Sequence, residues 1–276
     1  DVYKRQAVYS SGNIRIDEAL LRKAPKVQVI AQASVGYDNF DVAACRAHQV
    51  KIGNTPGVLV NAVADLAYGL LLDTARNIVR GHRHVAEGLW AQKKAPGMGV
   101  DLYGKTLGIV GLGDIGSAIA RRAQVSGMRV IYHNRHRKLN DSALGVTYAA
   151  WEELLRTSDF IVVAVTLNPS TKGLFDAAAF AAMKEGVRFV NISRGKVVDT
   201  EALVAALQSG KVAAAGLDVT DPEPLPGDHP LLRLLNITVT PHIASATEET
   251  RDAMALVTAQ NIVAALTGEA MPAQIR

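Results

Sequence analysis

The glycines at 111, 113 and 116 constrain this chain more than any other feature. They lie in Gly111-Leu112-Gly113-Asp114-Ile115-Gly116, between an apolar run at 107–110 and a helical pattern that begins at Ile115. A strand that turns on glycines spaced this way into a helix is the opening of a nucleotide-binding βαβ unit. Gly111 allows the tight turn, Gly113 lets backbone amides approach a pyrophosphate, and Gly116 lets the helix pack on the strand. The helix start turns its partial positive charge toward the phosphates, so Leu112, Asp114 and Ile115 join the glycines as expected cofactor contacts.

The residues around this motif repeat its pattern. Strands are predicted at 107–110, 129–133, 160–165, 188–192, 213–219 and 237–240, with helices at 115–126, 151–157, 177–183 and 201–208 between them. Strand and helix in strict alternation predict an α/β fold with a doubly wound, Rossmann-type parallel sheet. The composition agrees: 49% of residues are hydrophobic but only 5% aromatic, so the apolar mass is the Ala, Val, Leu and Ile of buried parallel strands. Disordered and low-complexity classes are excluded by the same figures. No apolar run approaches the roughly 20 residues of a membrane span. One cysteine, Cys45, predicts neither an internal disulfide nor a metal site and fits a reducing, cytoplasmic setting. A net charge of +4 without a dense basic block predicts no nucleic-acid partner and suits a small anionic ligand.

A second α/β segment precedes this region. An amphipathic stretch at 16–21, strands at 27–31 and 50–52, and a glycine-bearing loop at 34–38 lead to a break at Asn54-Thr55-Pro56-Gly57. One long helix is expected over 61–80, followed by a polar arm to Gly104, and a last helix at 247–266 opens on a capping box from Ser245 and stops at Gly268.

The end of the second strand of the nucleotide unit selects the nucleotide. An acidic residue about 20 positions past the first glycine accepts from the ribose 2′-OH of NAD. Here the sequence reads His133-Asn134-Arg135-His136-Arg137-Lys138, without a carboxylate. Asn134 suits a ribose oxygen, and Arg135 and Arg137 suit a 2′-phosphate, which favours NADP(H) over NAD(H). Arg194, Glu223 and His242 each follow a predicted strand, at the sheet edge where ligands bind. Such a trio suits reduction of a 2-oxo acid: Arg holds the carboxylate, His gives a proton to the carbonyl oxygen, and Glu fixes the imidazole.

With these segments in view the chain resembles the D-isomer-specific 2-hydroxyacid dehydrogenases. The match rests on Ala33-Ser34-Val35-Gly36-Tyr37-Asp38-Asn39, Gly108 to Gly116, Asn191-Ile192-Ser193-Arg194-Gly195, Gly216-Leu217-Asp218-Val219 with Asp221-Pro222-Glu223-Pro224, and Pro241-His242-Ile243-Ala244-Ser245-Ala246-Thr247. It is closest to the glyoxylate/hydroxypyruvate reductase and 2-ketogluconate reductase branch. The resemblance implies a catalytic trio of Arg194, Glu223 and His242, substrate carboxylate contacts at Val35 and Gly36, and further cofactor contacts at Thr166, Ile192, Asp218 and Ala244. It also implies a homodimer paired through the helix at 61–80 and the arm after it. The implied architecture is discontinuous: residues 1–54 and 246–276 make a smaller flavodoxin-like substrate domain, and 55–245 the nucleotide domain. Members carry further residues upstream, so the chain is expected to lack the first strand of the substrate domain, to begin with a foreign hexapeptide, and to turn over weakly. A non-catalytic NAD(P) sensor on the same scaffold is the alternative, separated from a reductase by turnover with a 2-oxo acid.

Overall fold

The computed structural model describes residues 5–12 and 14–275. From the N-terminal side the elements are β1 (Ala7–Ser10), α1 (Glu18–Lys23), β2 (Val29–Gln32), α2 (Val42–Ala47) and β3 (Lys51–Gly53), then α3 (Val60–Arg76) and α4 (Ile78–Ala86). Next come β4 (Thr106–Val110), α5 (Asp114–Val125), β5 (Arg129–His133), β6 (Thr147–Tyr148), α6 (Trp151–Thr157) and β7 (Phe160–Val163). They are followed by α7 (Ala177–Ala182), β8 (Val187–Asn191), α8 (Thr200–Ser209), β9 (Val212–Leu217), β10 (Ile237–Val239), α9 (Glu248–Thr267) and β11 (Gln274–Ile275). Two compact units result, residues 63–244 and residues 1–62 with 245–276. Among the described residues no helix is long and apolar enough to cross a membrane.

The unit of residues 63–244 is built on a seven-stranded sheet in the order β10-β9-β8-β7-β4-β5-β6, every pair parallel. This is the doubly wound arrangement that the alternating elements predict. Parallel strands are covered on both faces, which is why β4 and β7 are apolar runs buried at every residue. Strand order reverses between β4 and β7, and the glycine loop leaves β4 at that switch point. The core gathers a chain of rings in which Phe175 lies edge-on to Trp151 at 5.4 Å and to Phe189 at 5.0 Å. Gly108 sets how closely α6 approaches β4: a Cβ there would stand 2.3 Å from Ser158 Oγ.

The main differences from the sequence reading each have a local reason. β6 is two residues long, too short to show a period, and makes seven strands rather than six. β7 and β9 both stop two residues early, at Val163 and Leu217, releasing the residues beyond them into loops. The single helix expected over 61–80 is two, broken at Asn77, whose φ of 55° lies in the left-handed region that Asn tolerates. Asp73 steadies that break by accepting the Val79 N–H at 2.8 Å. The cap of α9 is Thr247, accepting from the Thr250 N–H, so the box expected from Ser245 sits two residues too early.

The other unit carries a four-stranded sheet in the order β1-β2-β3-β11, with β1, β2 and β3 parallel and β11 antiparallel to β3. Ile16, Leu21, Ile30, Phe40, Cys45 and Ile52 form its buried core. Among the described residues the strand β2 is not the sheet's edge; β1 is. β1 pairs with β2 through Ala7–Ser10, and the Gln28 N–H extends the ladder to the Gln6 carbonyl at 2.8 Å. The sequence reading missed β1 because four residues of mixed character, Ala-Val-Tyr-Ser, carry no alternation. The foreign character expected of Asp1–Gln6 falls, for residues 1–4, outside the described residues. Buried Asn261 of α9 ties the far ends of the chain together: its Nδ2 donates to the Asn54 carbonyl at 3.0 Å and its Oδ1 accepts the Ala273 N–H at 2.9 Å.

Candidate active site

The glycine loop behaves as its sequence requires. Gly111 has φ of 102°, and a Cβ there would lie 2.6 Å from the Ala164 carbonyl oxygen. At Gly116 the Cβ would lie 2.2 Å from the Gly111 carbonyl oxygen, so strand and helix touch through bare backbone. Gly113 is the opposite case: nothing lies within 4 Å of its Cβ position, and that side of the loop stands open. Among the described residues the N–H groups of Gly113, Asp114 and Ile115 have no hydrogen-bond partner. Unfilled amides at the start of the twelve-residue helix α5, beside open space, are what an anionic diphosphate needs. A dinucleotide fits these residues.

The basic loop after β5 divides its labour. Asn134 Oδ1 accepts the Leu112 N–H at 2.7 Å, which pins the loop to the glycine turn. Arg135 is exposed and makes no polar contact among the described residues. Arg137 is engaged elsewhere than the sequence reading expects: its Nε donates to Asp141 Oδ2 at 2.7 Å. Asp141 is buried and needs a cation, and the Arg137 hydrogen bond holds its carboxyl below the ordinary value. Farther along the sheet edge, Thr166 is exposed and its carbonyl accepts from Thr171 Oγ1, while Ile192 is 8% exposed at the end of β8.

Strand ends β8, β9 and β10 each lead to one member of the trio. Asn191 shapes the first turn: its Oδ1 accepts from Ser193 N–H and Oγ, and its Nδ2 donates to the Arg194 carbonyl. Glu223 stands on the loop after β9. Its Oε2 accepts the Thr220 N–H at 3.2 Å, and its Oε1 lies 2.6 Å from His242 Nδ1. The His242 hydrogen bond, working against desolvation and helped by the Thr220 amide and the nearby Arg194 charge, holds the Glu223 carboxyl below its ordinary value. An ionised carboxylate only accepts, so Nδ1 of His242 carries the hydrogen and Nε2 is left for chemistry. Electrostatics thus brings Arg194, Glu223 and His242 together, with His242 open to solvent.

Asp218, which the resemblance implies as a cofactor contact, braces the turn that carries His242. It is 1% exposed, and its carboxylate accepts from Thr240 Oγ1 at 2.6 Å and from the Ile243 and Ala244 N–H groups, each at 2.9 Å. Those bonds close the turn in which His242 sits at φ of 54°, and the His242 N–H donates to the Asp218 carbonyl. Thr240 and Thr220 are members of the site that sequence reasoning missed, since a threonine beside a strand end carries no chemical signal of its own. Gly195 is a third. A Cβ there would lie 1.9 Å from the Thr220 carbonyl oxygen, so the glycine lets the Glu223 loop pack against the turn after Arg194.

Val35 and Gly36 lie in the other unit, on the loop after β2. Their carbonyls are occupied, Val35 by Asn54 Nδ2 at 2.9 Å and Gly36 by Gln32 Nε2 and Ser34 Oγ. Their N–H groups have no partner among the described residues, leaving two adjacent donors on a loop fixed by buried Gln32.

Residues 68–244 match the family model described as D-isomer specific 2-hydroxyacid dehydrogenase, NAD binding domain. The chain is 45% identical over 260 residues to a glyoxylate reductase of Korarchaeum cryptofilum, covering 93% of this chain and 78% of that one. It is 46% identical over 257 residues to glyoxylate/hydroxypyruvate reductase B of Citrobacter koseri, covering 92% of this chain and 79% of that one. The crystal structure of a glyoxylate reductase from Paecilomyes thermophila superposes with a TM-score of 0.90 at 37% identity, covering 98% of this chain and 83% of that one.

Proposed function

We propose, from the premise that this chain belongs to the D-isomer-specific 2-hydroxyacid dehydrogenases, that it reduces a small 2-oxo acid to the D-2-hydroxy acid with NADPH. The family makes it a nicotinamide-dependent oxidoreductase; glyoxylate or hydroxypyruvate as substrate and NADPH as reductant are the finer reading. The observation that carries the chemistry is the 2.6 Å contact between His242 Nδ1 and Glu223 Oε1, with the Arg194 charge beside it. When bound, the nicotinamide supplies a hydride to the carbonyl carbon. Arg194 pairs with the substrate carboxylate and draws electron density toward the carbonyl oxygen. His242 Nε2 delivers the proton to that oxygen, and Glu223 stabilises the imidazolium before the transfer and fixes the tautomer after it. The Val35 and Gly36 N–H groups, without a partner among the described residues, suit a substrate carboxylate as the resemblance implies, and the cytoplasm suits a single buried thiol.

NADPH is favoured by the absence of any acidic side chain at residues 133–138 and by the free guanidinium of Arg135. The proposed dimer rests on residues 78–103, where Ile78, Val85, Trp90, Met98 and Tyr103 are all exposed, Trp90 at 70% and Met98 at 93%. A lone chain in water rarely gathers so many large apolar side chains on one segment, and a second copy would cover them. The test is steady-state reduction of glyoxylate and hydroxypyruvate by the purified chain with NADPH and with NADH. Turnover with NADPH the better reductant is expected. Tight NADPH binding with no turnover on either acid would establish the sensor instead.

A further inference from the structure

Lys138 is a cation of the basic loop that the sequence leaves unassigned, and the structure puts its ammonium beside the first turn of α5. Its backbone N–H donates to Tyr132 Oη at 2.9 Å. That phenol is fully buried on β5 and donates in turn to Asp141 Oδ2 at 3.1 Å, the same oxygen that accepts Arg137 Nε. Arg137, Asp141 and Tyr132 therefore form one lock across residues 132–141, closed on the backbone of Lys138. From there the lysine reaches back along α5, and its Nζ lies 3.4 Å from Ser117 Oγ. Ser117 has already given its own proton to the Gly113 carbonyl at 2.7 Å. An ammonium has three donors, and this contact uses one, at a long distance. Two donors remain on an ammonium whose hydroxyl partner is itself bonded to the Gly113 carbonyl.

We propose that Lys138 is the second cation on the nucleotide 2′-phosphate, acting with Arg135, and that Arg137 and Asp141 are positioning residues that fix the loop carrying both. This rests on the reading that NADPH is the reductant. Asn134 immediately precedes Arg135 and accepts the Leu112 N–H, so Arg135 and Lys138 belong to a loop already anchored to the glycine turn. The division follows from charge. Arg137 is neutralised by a buried carboxylate and has little left for a ligand, whereas Arg135 has no polar partner among the described residues and Lys138 has only a hydroxyl.

The test measures NADPH and NADH affinity by fluorescence titration for the wild type, Arg135→Met, Lys138→Met and Asp141→Asn, with melting of each cofactor-free protein. Lys138→Met is expected to weaken NADPH about ten- to a hundredfold, the scale of a lost charge-assisted bond, with NADH affinity and melting unchanged. Asp141→Asn is expected to lower NADPH affinity and leave NADH affinity in place, because it loosens the loop. The opposite sign marks the opposite mechanism: if Arg137 itself grips the phosphate, freeing it from Asp141 tightens NADPH. A Lys138→Met protein with wild-type NADPH affinity, or an Asp141→Asn protein with equal or tighter NADPH binding, overturns the proposal. If the wild type and Arg135→Met show an NADPH preference and its loss while Lys138→Met does neither, only this inference fails. Equal affinity of the wild type for NADPH and NADH fails the reductant reading and this inference together.

Discussion

A proton donor is useful only if its proton has one exit, and at His242 that condition is met by a single carboxylate. Glu223 takes the Nδ1 side at 2.6 Å, so the imidazole can transfer only through Nε2. Changing His242 to Ala is expected to cut kcat by about 10²–10⁴-fold, the usual contribution of general acid catalysis, with NADPH affinity nearly intact. Retained turnover in that variant would move the acid elsewhere. Glu223 also gives a pH signature. Its carboxyl is held below the ordinary 4.5, chiefly by the His242 hydrogen bond, so that bond contributes stability above 4.5 that is lost as pH falls through the lowered native value. Melting temperatures of the wild type and Glu223→Gln, compared down a pH series, are expected to differ near neutrality and to converge in acid. Cys45 is predicted to be inert for the opposite reason. Burial pushes its thiol up to about 11, so a thiol-reactive dye at mildly alkaline pH should label the unfolded chain and spare the native one.

At the scale of elements, what could be read from the sequence was whatever rests on repetition or on a rare residue. The glycine turn, the strands β4, β5, β7, β8 and β9 and the helix α6 announce themselves by apolar runs and helical spacing. Elements fixed by their surroundings do not. β1 and β6 become strands only because β2 and β5 offer them a ladder, and the break at Asn77 rests on a side chain of Asp73 four residues earlier. The same contrast runs through the site. Arg194, Glu223 and His242 were legible as chemistry, but Thr220, Thr240 and Gly195 act through backbone closeness that only three dimensions reveal. Gly195 makes the point testable. An Ala there puts a methyl 1.9 Å from the Thr220 carbonyl oxygen, so the Glu223 loop must move. Gly195→Ala is expected to lose about 1–3 kcal/mol of stability, as overpacking does, and to lower kcat more than it weakens NADPH binding. A variant with native melting and native kcat would show that the loop does not depend on this contact.

On the scale of the whole molecule, the dimer proposed on the exposed apolar side chains of residues 78–103 makes a prediction about mass. Light scattering should give the mass of two chains, and the double change Val85→Glu with Trp90→Lys should give the mass of one. A monomeric wild type would end the dimer reading. The bonds from Asn261 to Asn54 and Ala273 carry a consequence in time rather than in space. Residues 63–244 are one continuous stretch, so their sheet has all its strands before α9 is made. The unit holding β1, β2 and β3 must wait for α9 and β11, which are made after the whole of residues 63–244. Its first strands therefore spend the synthesis of residues 63–244 without the helix they pack on, exposed to chaperones and to one another. Nascent chains arrested with residues up to 244 emerged and α9 still inside the ribosome should resist protease across the nucleotide sheet while residues 7–53 are still cut, and protection of those should arrive only with α9.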